Sequence, residues 1–220
     1  MVEFRSRPDG TKYPITGREG RGGVAVAAGA TALAIAAYSG GGAATTGAAG
    51  SAVGESLAVR TSHAKQSARN GQQDKAWQRM RLRLKRQPSI EHHVDCVVHS
   101  FGQVQEFFVR NPCRSLTRTL VPLEDESGDS FVVSIAWVRM PTARQARRLD
   151  RLDYRDGTGD VTALGHHLLA AQGVSFTGEH YASDVKKTLF VRAEAAPVRG
   201  TPDPKLLDAA AEVGVLLPPP

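Results

Sequence analysis

Cysteine is scarce in this chain: only Cys96 and Cys113 occur among its 220 residues. Neither has the second close cysteine that structural zinc sites require, so the spacing argues against a zinc-binding fold. Aromatic residues are also few, at 6% of the chain, and the most basic segment contains a single tryptophan. Base stacking needs more aromatic side chains than this, so nucleic-acid binding is not favoured as the main role.

Charge is missing altogether from residues 22–54, which consist almost wholly of Gly, Ala, Val, Ser and Thr. No globular core has that composition. The apolar run over residues 24–38 falls between the length of a signal-peptide core and the roughly 20 residues of a membrane-spanning helix, and extension to Ala49 reaches spanning length. A retained signal anchor over residues 22–50 is the favoured interpretation, with a cleaved signal peptide and a Gly/Ala linker as alternatives.

Basic residues surround the uncharged run unequally. Five precede it, whereas three lie close behind it, Arg60, Lys65 and Arg69. The positive-inside rule therefore places the amino terminus in the cytoplasm and the rest of the chain outside. We expect a cytoplasmic tail over residues 1–21, a membrane span over 22–50 and a basic linker over 51–90. An extracytoplasmic domain over 91–196 and a carboxy-terminal helix with a proline tail over 197–220 should follow.

The net charge of +6 comes from the arms of the chain. Residues 55–86 carry nine basic and two acidic groups, whereas residues 87–220 carry fourteen basic and seventeen acidic ones. Interleaved apolar residues predict a basic helix over residues 75–86. A solvated stalk and a nucleic-acid contact are two interpretations of this segment, and a contact with lipid headgroups or an anionic cell-wall polymer is the third. The candidate contact residues are Lys75, Arg79, Arg81, Arg83, Lys85 and Arg86.

Hydrophobic periodicity from residue 94 onward predicts a compact α+β domain. The strand 130–140 is apolar on both sides and should be central. The pattern predicts a mainly antiparallel sheet of four to five strands with helices on one face, near a ferredoxin-like plan. The expected order is strand 94–98, helix 101–111, a hairpin of strands 116–123 and 130–140, helices 142–152 and 161–172, a hairpin of strands 174–182 and 188–195, and helix 203–214.

The two cysteines can form a disulfide, bind a metal or supply a nucleophile. A five-residue strand that starts at Cys96 covers about 16 Å, and the helix over residues 101–111 returns by about 16 Å. Cys113 thereby comes back to the level of Cys96, which favours a disulfide. Cys96 and His99 have ligand-like spacing for a metal, but no second close pair supports it. A catalytic thiolate is disfavoured because the side chains of Cys96 and His99 would point to opposite faces of a strand.

No other motif defines a reaction. The stretch DGTGD, residues 156–160, lacks the lysine of a phosphate-binding loop and the ligand spacing of an EF-hand, so it is interpreted as a helix terminator. His166 and His167 are adjacent on a predicted helix and face different ways. We assign no catalytic residue, cofactor or metal. A hydrolase with a site around Asp160, His166 and His180 stays a further hypothesis.

Several stretches of the chain are distinctive: FRSRPDGTKYPI, the Gly/Ala run, CVVHSFGQVQEFF with NPCRSLTR, VVSIAWVRMP and DGTGDV. Together they resemble a group of uncharacterised membrane-anchored proteins of actinobacteria, over nearly the whole chain. The resemblance implies a single-pass topology and a paired-cysteine domain, and it gives no catalytic residue to carry over. The leading hypothesis is a membrane-anchored extracytoplasmic domain that binds an envelope protein or an anionic polymer without catalysis. A cytoplasm-facing nucleic-acid-binding protein is the alternative.

Overall fold

The computed structural model describes residues 4–6, 12–14, 55–155 and 157–220. Residues 22–50, for which a membrane span is expected, lie outside these ranges. Within them, no helix combines the length and the hydrophobicity needed to cross a bilayer. The amino-terminal residues form a short antiparallel pair, β1 (Phe4–Ser6) and β2 (Lys12–Pro14).

Six further strands form one antiparallel sheet, which confirms the predicted α+β class but exceeds the four to five strands expected, since part of the predicted helix 75–86 forms an edge strand. These strands are β3 (Arg83–Leu84), β4 (Ser89–His93), β5 (Ser115–Glu124), β6 (Ser130–Arg139), β7 (Tyr181–Lys186) and β8 (Leu189–Arg199). The short strands β3 and β4 both pair with β5, and the sheet continues through β6 and β8 to β7. The helices of the described ranges are α1 (Leu57–Arg69), α2 (Gln73–Arg79), α3 (Gly102–Arg110), α4 (Ala143–Asp153), α5 (His166–Ala171) and α6 (Pro204–Gly214).

The predicted hairpin of two long strands is confirmed. β5 and β6 pair over ten residues each. Asp125 closes the acidic turn between them, because its Oδ1 accepts hydrogen bonds from the backbone amides of Ser127 and Asp129. β6 lies between β5 and β8, and all of its residues except Arg139 are buried. It is therefore the central strand that its two apolar sides predicted.

Helices cover both faces of the sheet, so the prediction of a single covered face was wrong, and the ferredoxin-like plan does not describe this sheet. α1, α2 and α6 pack on the side of β6 that carries Val133, Ile135 and Trp137, which we call the first layer. α3 and α4 pack on the opposite side, against Ala136 and Val138, which we call the second layer. The reason is that both sides of β6 are apolar, and each must be shielded from water.

Residues 55–90, expected as a basic linker, fold in the same compact unit as the rest of the domain. Trp77, Met80 and Leu82 are almost fully buried in the first layer. The helix predicted over residues 75–86 therefore ends with α2, and β3 follows as an edge strand on β5. A continued helix would turn Leu82 away from the face that buries Trp77 and Met80.

Two other elements differ from the predictions. The helix expected over residues 161–172 is confined to α5, and Val161 instead forms an isolated bridge with Ser100. The last hairpin is shifted along the chain: β7 begins only at Tyr181, and the turn lies at Lys187, which has a φ of 55°. The hydroxyl of Tyr181 donates to a carboxylate of α4, which holds this stretch against the sheet as a strand.

Candidate functional site

Cys96 and Cys113 form the predicted disulfide, with an Sγ–Sγ distance of 2.01 Å and a Cα–Cα distance of 6.1 Å. Cys96 is 1% exposed and packs in the second layer with Val104 and Phe108 of α3. The strand expected to begin at Cys96 is not formed, because residues 94–100 are a loop that follows β4. Since both sulfurs belong to the disulfide, neither is a metal ligand or a nucleophile.

A row of polar side chains crosses the second-layer face of the sheet. The register aligns Glu91, Arg118, Ala136, Arg192 and Ser183 on five strands from β4 to β7. The two arginines therefore flank the small side chain of Ala136. We call this row and the polar residues around it the polar belt; its members are Glu91, Arg118, Asp153, Asp160, Tyr181, Ser183, Arg192 and Glu194.

Arg192 lies at the centre of the belt, with a side chain only 9% exposed. Its Nη1 contacts Asp160 Oδ1, its Nη2 donates to Glu194 Oε2 at 3.1 Å, and its Nε lies 3.6 Å from Asp153 Oδ2. Tyr181 donates its hydroxyl to Asp153 Oδ2 at 2.5 Å, and its ring centroid lies 5.2 Å from the guanidinium carbon. One buried cation thus contacts three carboxyl groups. Full ionisation of all three would leave uncompensated negative charge in the interior.

Burial changes the acidity of the belt. It raises the pKa of Asp160 well above its usual range, and the carboxyls of Asp153 and Glu194 raise it further against the opposing charge of Arg192. Burial also raises the pKa of Tyr181, so its hydroxyl keeps the proton that it donates. Burial by itself would lower the pKa of Arg192, but the surrounding carboxylates hold it above its ordinary value. The side chain of Asp160 is 26% exposed, whereas those of Asp153 and Glu194 are 1% and 5% exposed.

Arg118 organises the other end of the belt. Its Nη2 donates to Glu91 Oε2 at 3.0 Å and lies 3.2 Å from His93 Nε2. The ring of His93 lies 3.7 Å from that of His99, measured between centroids. Burial lowers the pKa of His99, and the charge of Arg118 lowers it further. His99 is therefore a neutral neighbour of this ion pair.

The belt fixes the chain that connects α4 with α5. Arg192 Nη1 donates to the carbonyl of Val161 at 3.0 Å, and Arg118 Nη1 donates to the carbonyl of Thr162 at 2.9 Å. These carbonyls would otherwise accept the first hydrogen bonds of the helix predicted over residues 161–172. Their capture by arginine explains why α5 begins later. The belt is thus a structural network, and the two surface grooves on the α1–α2 side contain none of its residues.

The residues of the hydrolase hypothesis do not form a constellation. No hydrogen bond, ion pair or ring contact joins Asp160, His166 and His180 to one another. His180 Nδ1 lies 2.8 Å from Asp208 Oδ1, and His166 contacts the ring of its neighbour in sequence. Across the described ranges, no group of three His, Cys, Asp or Glu side chains has the arrangement of a metal site.

The six basic residues proposed as an anionic-surface contact divide into two groups. Three face the acidic turn after β5: Arg81 pairs with Glu126, while Arg83 and Lys85 share Glu124, at N–O distances of 3.2, 2.9 and 2.6 Å. Three make no ion pair within the part of the chain that the structure describes: Lys75, Arg79 and Arg86. Two carboxylates therefore offset two of the six predicted positive charges.

A second basic surface runs along α4. Its outward face carries four exposed arginines at three- and four-residue spacing, and none is ion-paired with another described residue. The acidic residues of the same helix, Asp150 and Asp153, are buried and accept hydrogen bonds from Ser183 and Tyr181. The arginine spacing could be found in the sequence, but the inward orientation of the aspartates could not. We call the four residues the α4 stripe: Arg144, Arg147, Arg148 and Arg151.

These features define a disulfide-stabilised α+β domain with a basic helix on its surface. Comparison of the chain with protein-family models, with curated proteins and with solved structures finds no match. The function proposed below is therefore argued from the contacts of its own residues.

Proposed function

We propose that this chain is a membrane-anchored extracytoplasmic domain that binds an anionic envelope polymer through the α4 stripe. The observation that carries the proposal is the set of four exposed arginines on one helix, without a carboxylate partner among the described residues. Like charges at this spacing destabilise a helix by roughly 0.2–0.5 kcal/mol per pair. An anionic partner removes that repulsion, and the planar guanidinium group suits phosphate and carboxylate oxygens.

The stripe suits a hydrated polymer better than a folded protein. Protein interfaces usually have a desolvated centre of aromatic or aliphatic side chains. None of the large hydrophobic residues that are exposed in the described ranges belongs to α4. A polyanion needs no such centre, because its affinity comes from charge neutralisation and counterion release.

The disulfide supports the extracytoplasmic location. Cysteine pairs are kept reduced in most cytosols and persist as disulfides outside them. Residues 22–50 supply the expected anchor, and the basic residues before it favour a cytoplasmic amino terminus. In that compartment a polymer of the envelope is accessible to the stripe, whereas nucleic acid is not.

Binding of the full chain, in micelles of an uncharged detergent, to long-chain polyphosphate tests the proposal. Arg144→Gln/Arg147→Gln removes two charges of the stripe, and Arg69→Gln/Arg199→Gln removes two exposed arginines elsewhere. We expect the first pair to weaken binding about tenfold or more and to reduce the slope of log affinity against log salt by about 0.7 per lost contact. The second pair should change affinity less than about twofold. Equal losses in the two pairs would contradict the proposal.

Thiol labelling of intact cells with a membrane-impermeant maleimide tests the location. Cys113 is only partly buried and is the more accessible of the two sulfurs. Labelling that requires prior reduction supports an external domain with its disulfide formed. Free thiols that react only after lysis would place the domain in the cytoplasm and favour the nucleic-acid alternative.

A further inference from the structure

We infer that the groove between α1 and α2 is a binding site for a phosphate group, separate from the α4 stripe. The groove has a volume of about 450 Å³, within the range of small-ligand sites. Every residue that lines it is polar, and none is acidic. We call it the α1–α2 groove; its residues are His63, Gln66, Ser67, Asn70, Gln72, Lys75 and Arg79.

Positive charge reaches the groove from α2. Lys75 and Arg79 are one turn apart on α2 and project to the same side, and neither has an ion-pair partner in the described part of the chain. His63 lines the same groove from α1, and its Nδ1 lies 3.0 Å from Glu55 Oε1. The cationic groups repel one another in the absence of an anion, so a bound anion stabilises the arrangement.

Neutral donors complete the site. Ser67 is only 6% exposed and lines the groove, yet its hydroxyl makes no hydrogen bond with the described residues. This hydroxyl is therefore available to donate to a ligand oxygen. Three side-chain amides add further N–H donors, those of Gln66, Asn70 and Gln72. Donors from several directions match the acceptor oxygens of a phosphate group.

The phosphate can come from two sources. α1 begins at Leu57, a few residues after the predicted span over residues 22–50, so the groove belongs to the folded part nearest to the anchor in sequence. A lipid headgroup and a free phosphate ester present the same chemistry to the groove. The lipid source rests on the membrane location proposed above, whereas phosphate binding itself does not.

Calorimetric titration of the full chain with inorganic phosphate, in micelles of an uncharged detergent and at constant ionic strength, tests the inference. Lys75→Gln/Arg79→Gln should weaken binding about tenfold or more, since two charge-assisted contacts are lost. Arg144→Gln/Arg147→Gln removes the same charge from the α4 stripe and should change the affinity less than about twofold. Ser67→Ala keeps the net charge and should weaken binding about threefold.

Absence of saturable phosphate binding would overturn the inference, and so would equal losses in the two charge-matched variants. Both basic residues of the groove are exposed, so we expect the variants to fold as the wild type does. Unchanged circular dichroism and an unchanged melting temperature would show this. Competition with phosphatidylcholine vesicles, with and without phosphatidic acid, separates the two sources. Displacement of phosphate only by the acidic vesicles supports a headgroup ligand, and no displacement supports free phosphate. Failure of polyphosphate binding by the α4 stripe would leave both results unchanged.

Discussion

Loss of the disulfide between Cys96 and Cys113 should destabilise the domain by about 3 kcal/mol. The cysteines are 17 residues apart, and the chain-entropy model assigns about 3 kcal/mol to closure of a loop of that length. Replacement of Cys96 by alanine also removes a sulfur from the second layer, where the residue is 1% exposed. A buried atom of that size contributes about 1 kcal/mol. Cys96→Ala/Cys113→Ala should therefore cost about 3–4 kcal/mol in total.

Thermal unfolding followed by circular dichroism measures this loss. A domain of this size changes its Tm by roughly 2–4 °C per kcal/mol, so the double variant should melt about 6–16 °C below the wild type. Reductant should lower the Tm of the wild type by most of that amount. It should leave the Tm of the double variant unchanged, so the variant controls for other effects of the reductant. A shift below about 2 °C would refute loop closure as the source of stability.

Three further predictions concern the polar belt and the loop beside it. Arg192→Met leaves two buried carboxyl groups and the partly buried Asp160 without their cation and should cost about 3–5 kcal/mol in denaturant unfolding, whereas Arg151→Met on the α4 stripe should stay within about 0.5 kcal/mol. Because the folded-state pKa of Asp160 is raised, the folded state binds the extra proton, so stability should fall as pH rises from about 4 toward that raised pKa. Asp160→Asn should flatten this decline in a pH series of unfolding experiments, and an unchanged slope would count against the assignment. Gly159→Ala should lower the free energy of unfolding by about 2 kcal/mol or more beyond Gly157→Ala, and so should melt at a lower temperature. Both residues have positive φ, but only at Gly159 would a Cβ meet the backbone at the start of α3.

Elements with local signals could be predicted from the sequence. β5 and β6 are each ten residues long and rich in apolar and β-branched residues, and the acidic turn separates them. Thr142 begins α4 as expected, since its Oγ1 accepts a hydrogen bond from the amide of Gln145 at 3.2 Å. The disulfide was also predictable, because one helix separates the two cysteines and returns the chain whether the residues before it form a strand or a loop.

Elements that depend on distant partners could not be predicted. β3 pairs with β5, about forty residues further along the chain, and nothing within residues 75–86 indicates that pairing. Arg118 and Arg192 are 6% and 7% exposed, although charged residues in strands usually face solvent. Their burial depends on the carbonyls of Val161 and Thr162, which reach the sheet only in the folded chain.

The same limit applies to the basic surfaces. The six basic residues of the segment 75–86 form one positive cluster in the sequence, but three of them pair with Glu124 and Glu126. The helix α4 also carries two acidic residues, Asp150 and Asp153, but both are buried and so do not offset its four arginines at the surface. A count of charges along a chain therefore misjudges both surfaces, because it contains no information on which side of an element each charge lies.

The two positive surfaces lie on opposite faces of the sheet, since α1 and α2 pack on the first layer and α4 on the second. A helix layer on each side adds about 10 Å, so roughly 20 Å separates them. This exceeds twice the Debye length of about 8 Å at physiological ionic strength, and charges at one surface hardly affect an anion at the other. If substitution of Arg144 and Arg147 weakens binding of an anion and substitution of Lys75 and Arg79 does not, the α4 stripe is the surface responsible. The reverse result identifies the α1–α2 groove. Parallel losses in both would instead reflect only the net charge of +6.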